Sequence, residues 1–369
     1  MSRVFRLLVL LLALVCGGGY TLCAQELRLS VDFATLFDNT EYASLKNTSS
    51  GTLFGSRLTP QVGLEWWDTN EFVVGADLYQ DFGHDKFLSD AKLQLYLASK
   101  SFRFDIYAGI FPREAMNGLC SPLFFDPAYC YYNNNISGVL ARYRDPQSPS
   151  YVEFAMDYTG KRSYDVRESF EILSSGRQSF YVGRGEYLSL GYDFLMGHYA
   201  KDYNPETRDG VVDNILLRPY LRYDHYDLPD IGRHGLMLTL TLSYIQSLQR
   251  DRINENVWQC PFGGELFAEL RWAGLSVSNC LYMGKGSLLS YYDRYGSALY
   301  HGVSLYRSPK GLYDAIVVSY GSTFCNQTVG VKAGITLESD GTGWGTRQWL
   351  QIDVKLGHNV SLKRNKEIE

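Results

Sequence analysis

Between Asp90 and Phe111 the chain alternates strictly. Leu93, Leu95 and Leu97 share one face, with Lys92, Gln94 and Tyr96 on the other. After Lys100-Ser101, Phe102, Phe104, Ile106 and Ala108 alternate with Arg103, Asp105 and Tyr107. A period of two is the signature of a β-strand, and two such runs across a short turn make an antiparallel hairpin. The pattern recurs along the chain and predicts sixteen strands, with fourteen to eighteen compatible with it. They lie near 26–37, 57–68, 71–82, 90–99, 102–111, 136–144, 151–159, 167–175, 186–198, 212–225, 235–248, 262–272, 275–284, 312–321, 326–338 and 346–357. The run 167–175 is the least regular.

Alternation alone does not say which face is wet, because a soluble sandwich alternates too. The connections decide. Strands 2–3, 4–5, 12–13 and 14–15 are joined by short turns such as Thr69-Asn70 and Ala273-Gly274. Longer stretches, 38–56, 111–135, 199–211, 249–261 and 285–311, follow odd-numbered strands. Short turns on one rim and long loops on the other describe a transmembrane antiparallel β-barrel. One face of each strand is apolar: Val62, Leu64 and Trp66 oppose Gln61, Gly63 and Glu65. Val329, Val331, Ala333, Ile335 and Leu337 likewise oppose Thr328, Lys332 and Thr336. Aromatics at the run ends, Trp66-Trp67, Phe82, Phe111, Trp272 and Trp349, suit interfacial girdles. The fold class expected is all-β.

The first 24 residues add the compartment. Arg3 and Arg6 precede an apolar Leu7–Val15 run, and Thr21-Leu22-Cys23-Ala24 ends on a small residue, a secretory signal cleaved after Ala24. The barrel then occupies 25–358, with 359–369 a short charged tail. Of 35 Lys and Arg, the signal carries two, leaving 33 against 40 acidic residues, a mature charge of −7. That balance argues against nucleic acid. After the signal no apolar run reaches the ~18 residues of a spanning helix. Five cysteines remain in the mature chain. Cys120 and Cys130, in one loop, are a candidate disulfide, and Cys280 and Cys325 are expected to be buried thiols. No spacing suits a metal, and no cofactor is implied.

The segments Gly55-Ser-Arg-Leu-Thr-Pro-Gln-Val-Gly-Leu-Glu-Trp66, Tyr107-Ala-Gly-Ile-Phe-Pro-Arg113 and Pro261-Phe-Gly-Gly-Glu-Leu266 resemble the porin-sized outer-membrane barrels of Gram-negative bacteria, and most a Bacteroides-type group. The resemblance implies a cell outer-membrane location and contact with its lipid. It also implies that the loop after strand 5 folds inward to narrow a pore. Arg113, Glu114 and Asp126 are then the constriction candidates. Such barrels often end on an aromatic; here Leu356 closes the alternation instead.

On the wall, the inward phase holds Arg103, Asp105, Glu153, Asp157, Arg222, Glu265, Glu269, Arg271 and Lys332, with Glu65, Asp77, Lys92, Asp224 and Asp353 beside them. Mixed charge suits a watery channel, and sixteen strands leave room for water. The alternative is a lumen filled by cross-strand ion pairs. The function expected is passive diffusion of small hydrophilic solutes, with homo-oligomers allowed.

A second class is a surface barrel binding ligands through loops 38–56 and 285–311, the latter carrying Tyr291-Tyr292-Asp293-Arg294-Tyr295. The third is a barrel lipid hydrolase or protease. His198 opens His-Tyr-Ala-Lys, without the serine two residues on that a deacylase-like motif shows. Asp81-Phe-Gly-His84-Asp85 and Asp224-His225-Tyr-Asp227 set carboxylates beside histidines. With no serine elbow or metal constellation, the expectation is a barrel that is not an enzyme, with no catalytic residue.

Overall fold

The computed structural model describes residues 26–45, 48–118, 121–161, 163, 167–183, 185–200, 211–226, 235–285, 288–291 and 300–361. The expected signal, most of the charged tail and Cys120 lie outside them. The strands are β1 (Glu26–Glu41), β2 (Gly51–Trp66), β3 (Asn70–Asp81), β4 (Asp90–Lys100), β5 (Phe104–Pro112), β6 (Asn135–Arg144), β7 (Tyr151–Gly160) and β8 (Ser169–Gly183). They continue as β9 (Glu186–Tyr199), β10 (Val212–Tyr226), β11 (Met237–Asp251), β12 (Phe262–Trp272), β13 (Leu275–Gly284), β14 (Leu312–Phe324), β15 (Val329–Ser339) and β16 (Trp344–Ser361). Each pairs antiparallel with its sequence neighbours. β16 closes onto β1 in register from Glu26↔Ser361 to Glu41↔Thr346, completing a sixteen-stranded barrel.

Strand phase sorts the side chains. Leu29, Val31 and Phe33 on β1, Leu93, Leu95 and Leu97 on β4, and Leu240, Leu242 and Tyr244 on β11 are exposed on the outer wall. Asp77, Gln94, Asp105, Glu153 and Glu265 alternate with such residues and face inward, buried. Lipid satisfies no backbone hydrogen bond, so a spanning sheet must close on itself. The short-turn rim has the tight geometry this requires. Ala273 and Gly274 both have positive φ, 52° and 86°, the two-residue turn whose twist matches antiparallel strands. In barrels of this kind the short-turn rim is ordinarily the periplasmic one and the long-loop rim the extracellular one.

Several strands are longer than their apolar alternation. β1 runs on through Asp38-Asn39-Thr40-Glu41 and β2 starts at Gly51. These extensions rise beyond the lipid, so their ladders persist on polar residues that carry no periodic signal. Two aromatics expected in the girdles face inward. Phe111 is fully buried in the lumen. Trp349 lies in register with Gly334, where an added Cβ would sit 2.5 Å from its ring. Phase overrides residue type in both cases. Cys325 is exposed in the β14–β15 turn at φ 51°, and only Cys280 is a buried thiol of that expected pair.

The long loops do not simply cap the barrel. Leu123 and Phe124 from the β5–β6 loop, and Leu288, Leu305 and Tyr306 from the β13–β14 loop, are almost completely buried inside it. They pack on inward-facing Phe111, Ile136, Leu140, Leu173, Leu216 and Ile245. The lumen therefore contains an apolar core of its own at this level. Burying each such side chain contributes about 1.5–3 kcal/mol.

Candidate functional site in the lumen and on the outer wall

The β5–β6 loop enters the lumen as a single turn at Arg113–Ala115 and a short helix, α1 (Pro127–Tyr132). Its three singled-out residues go to different places. Arg113 is buried: Nη2 donates to Asp157 at 2.6 Å, Nε to the Asn133 carbonyl at 3.2 Å, and its guanidinium lies 4.7 Å from the Phe125 ring. Glu114 projects into open lumen, where Lys355 of β16 approaches to 3.8 Å, both side chains exposed. Asp126 caps α1, accepting the Ala128 N–H at 2.7 Å.

The wall charges are mostly engaged. Asp105 accepts from Arg142 at 2.6 Å and lies 3.3 Å from Arg144. Glu153 accepts the N–H groups of Asn117 and Gly118 at 3.0 and 2.6 Å, tying the loop to the wall. Arg222 pairs with Asp224 at 2.7 Å and Arg271 with Glu269 at 2.8 Å, while Lys332 is exposed on β15. Arg103 is a correction: β5 starts at Phe104, and Arg103 sits exposed in the turn before it.

Arg218, which the inward phase of β10 should have flagged, bridges Asp193 at 3.0 Å and Glu265 at 2.8 Å. Below the loop, a cavity of ≈ 630 Å³ extends toward the short-turn rim among Arg144, Arg177, Arg222, Arg271 and Glu269.

The β13–β14 loop is pinned from above. Tyr306 lies between Tyr282 and Tyr313, with ring centroids 5.2 and 4.6 Å away, and donates to Glu265. Burial holds its hydroxyl protonated well above its usual range. His301 stacks on Tyr129 at 4.1 Å and reaches Glu171 at 3.0 Å, joining the two inserted loops. Tyr292–Tyr295 lie outside the described residues.

The outer wall carries a different cluster. Phe170↔His198, His198↔Asp213 and Asp213↔Arg250 are successive register partners, forming one outward-facing row across β8, β9, β10 and β11 at the long-loop rim. His198 Nδ1 lies 3.8 Å from Asp213 Oδ1, and its ring lies 4.9 Å from that of Phe170, tilted by 31°. Asp213 also takes Arg250 at 3.2 Å and Arg252 at 2.6 Å, and Arg250 lies 4.5 Å over Trp258. The next outward row toward the membrane is wholly apolar: Ile172, Met196, Ile215 and Leu248. The polar row thus rests on the upper edge of the lipid belt. There, a charged side chain costs only about 0–1 kcal/mol, against about 2–4 kcal/mol for Arg or Lys at the midplane.

Neighbours in sequence did not foretell this partnership. Asp224 and His225 are adjacent, yet strand phase turns Asp224 inward to Arg222 and His225 outward to Glu186, 3.5 Å away near the short-turn rim. His84 accepts the Lys86 N–H at 3.1 Å, and Asp81 accepts from Tyr132 at 2.9 Å. The signal that could have found the outer-wall row is the shared outward phase of His198 and Asp213 on consecutive strands.

Comparison with known proteins supports the architecture. Pseudomonas putida OprB is 12% identical, with 92% of this chain and 97% of that one covered at a TM-score of 0.50. Pseudomonas aeruginosa OccD3 (OpdP) is 10% identical over 90% and 91%, at 0.49. OccK8 (OprE) of the same organism is 12% identical over 90% and 98%, also at 0.49. At such identities the likeness to OprB speaks for the fold alone, a closed antiparallel β-barrel. No curated protein matches the sequence. A family model covers residues 21–342, and it overturns the expectation of a barrel without enzymatic activity: the chain belongs to the lipid A 3'-O-deacylase-type family, a family of enzymes.

Proposed function

We propose that the protein is an outer-membrane ester hydrolase that removes an acyl chain from a lipid A-type glycolipid, with its chemistry on the outer wall at His198 and Asp213. The observation that carries this reading is the outward row itself. An imidazole and a carboxylate sit on adjacent strands where the headgroup layer meets the apolar belt, the depth of a lipid's ester carbonyls. The nucleophile is water, since Ala200 stands where a deacylase-like motif carries serine. His198 takes a proton from water as its oxygen adds to the acyl carbonyl carbon. The bond from that carbon to the sugar oxygen then breaks, and the proton passes to the departing oxygen. The products are a free fatty acid and a sugar hydroxyl.

Asp213 orients the ring; a separation of 3.8 Å without substrate is the loose geometry that tightens when substrate binds. Arg250, whose Nε has no hydrogen-bond partner, and Arg252 supply positive charge beside the pair for the phosphates of such a lipid. The test is lipid analysis of cells producing the protein. Wild type should release a fatty acid from lipid A, and His198→Ala should not.

A second reading, diffusion of small hydrophilic solutes, is favoured by Glu114 and Lys355, exposed to each other across the lumen, and by exposed Lys332. Of the three constriction candidates, Glu114 is the one presented to passing solute. Planar-bilayer recording of the purified protein should give discrete ohmic steps that Glu114→Gln alters. A folded barrel passing no current removes this reading.

A further inference from the structure

The wall of the barrel is interrupted on one side of its long-loop half. β4 pairs with β5 only from Leu95 to Lys100, so Asp90–Gln94 pair with β3 alone. β7 pairs with β6 only as far as Asp157; beyond it, Tyr158 pairs with β8. The upper ends of β5 and β6 stay paired with each other but have left the wall. Two glycines sit at the bend as register partners. At Gly109, with φ +122°, an added Cβ would lie 2.2 Å from the Leu95 carbonyl oxygen. At Gly138 it would lie 1.9 Å from that of Met156.

Side-chain contacts show where the hairpin tip has gone. Asn135 belongs to the outward phase of β6, yet its amide bonds Asp77 at 2.6 Å and Gln94 at 3.0 Å, both on the inner face of β3 and β4. The tip therefore stands inside the barrel, in front of its neighbours. With two strands withdrawn, β4 and β7 stand three strand spacings apart, ~14 Å axis to axis. Backbone left unpaired at membrane depth is tolerated only beside protein or water. Here the Ser137 N–H turns to Asp157 Oδ1 at 2.8 Å in place of a ladder partner.

A cavity of ≈ 400 Å³ fills this window. Its outer lip is apolar, with exposed Leu93 and Tyr158 continuing the lipid belt and half-buried Ile110 beside them. Its inner end holds Lys92 and Arg113, with Asp157 the one carboxylate in its lining, paired to Arg113 Nη2 at 2.6 Å. Lys92 donates to the Tyr132 carbonyl and lies 3.6 Å from Asp90, while Nη1 of buried Arg113 has no hydrogen-bond partner. We propose that this window is a lateral binding site for a single long-chain fatty acid anion. The tail would lie in the outer leaflet along Leu93 and Tyr158, and the carboxylate would reach Arg113 inside the lumen. Apolar outside, with two cationic donors and the unpartnered Arg113 Nη1 at its inner end, the site matches a one-tailed amphiphile with one negative charge. It would take a product of ester hydrolysis in that leaflet, whichever enzyme releases it, so it does not depend on the outer-wall reading.

The test uses full-length protein in nanodiscs and a photoactivatable palmitate analogue carrying a diazirine near its tail, with crosslinks mapped by peptide mass spectrometry. Labelling should concentrate on the peptides bearing Leu93, Ile110 and Tyr158, and unlabelled palmitate should compete it away. Leu93→Trp, which blocks the lip from the lipid side without touching the interior, should cut labelling at least tenfold. Arg113→Gln should weaken binding about tenfold, and a neutral palmitoyl alcohol probe should label poorly. Uniform labelling around the apolar belt, or labelling unchanged by Leu93→Trp in a barrel that remains heat-modifiable, would overturn the proposal.

Discussion

At the residue scale the account rests on Asp213, nearly buried on an otherwise lipid-facing wall and holding His198, Arg250 and Arg252 together. An outward carboxylate bordering the apolar belt gains nothing from lipid. Its three cationic or titratable partners make it tolerable and give it a task. Asp213→Asn keeps the shape and removes the charge. We expect kcat for acyl release to fall roughly 100-fold with KM little changed, because the carboxylate orients the base rather than binding the lipid. An equal loss in Asp213→Asn and in a variant of remote Glu186 would indicate a merely structural role. Such residues were half legible in the sequence. Alternation places His198 and Asp213 outward, but their facing each other depends on the register across β9 and β10, which a fifteen-residue separation with an intervening loop does not fix.

At the scale of elements, the strands were readable because lipid on one side and polar lumen on the other impose a period of two. The inserted loops were not. Leu123, Phe124, Leu305 and Tyr306 lie in aperiodic stretches, and what buries them is the inner wall contributed by distant strands. The one available hint was the inward-phase Leu140, Leu173, Leu216 and Ile245, apolar where a watery lumen calls for polar residues. Tyr306 is a fully buried anchor of the loop, and burial keeps its hydroxyl protonated well above the usual range. In the unfolded chain a tyrosine loses its proton near pH 10. Above that pH the unfolded state holds fewer protons than the folded one, so stability falls as pH rises. The unfolding midpoint, followed by heat-modifiability on gels, should drop from about pH 10 upward. In Tyr306→Phe the alkaline decline should be shallower, with stability at neutral pH lower by about 1–3 kcal/mol for the lost buried hydrogen bond. An unchanged alkaline slope would mean the loop is not held in the lumen through this hydroxyl.

At the scale of the whole molecule, a porin-sized barrel has been furnished on both sides of its wall. The inside holds two inserted loops, paired charges and a cavity open toward the short-turn rim; the outside holds a histidine–carboxylate row at the lipid edge. A length of 369 residues and sixteen alternating runs suggested a channel, since size speaks for a lumen and nothing in composition speaks for a catalytic row. Membership of a deacylase-type family shifts attention from what passes through the barrel to what lies against it. The most direct measurement is mass spectrometry of lipid A from a Gram-negative host producing either the wild-type protein or His198→Ala, both verified as folded in the outer membrane. The account predicts lipid A lighter by one ester-linked acyl chain, with the matching free fatty acid, in the wild type alone. Identical full-length lipid A in both, or equal deacylation in both, would contradict it.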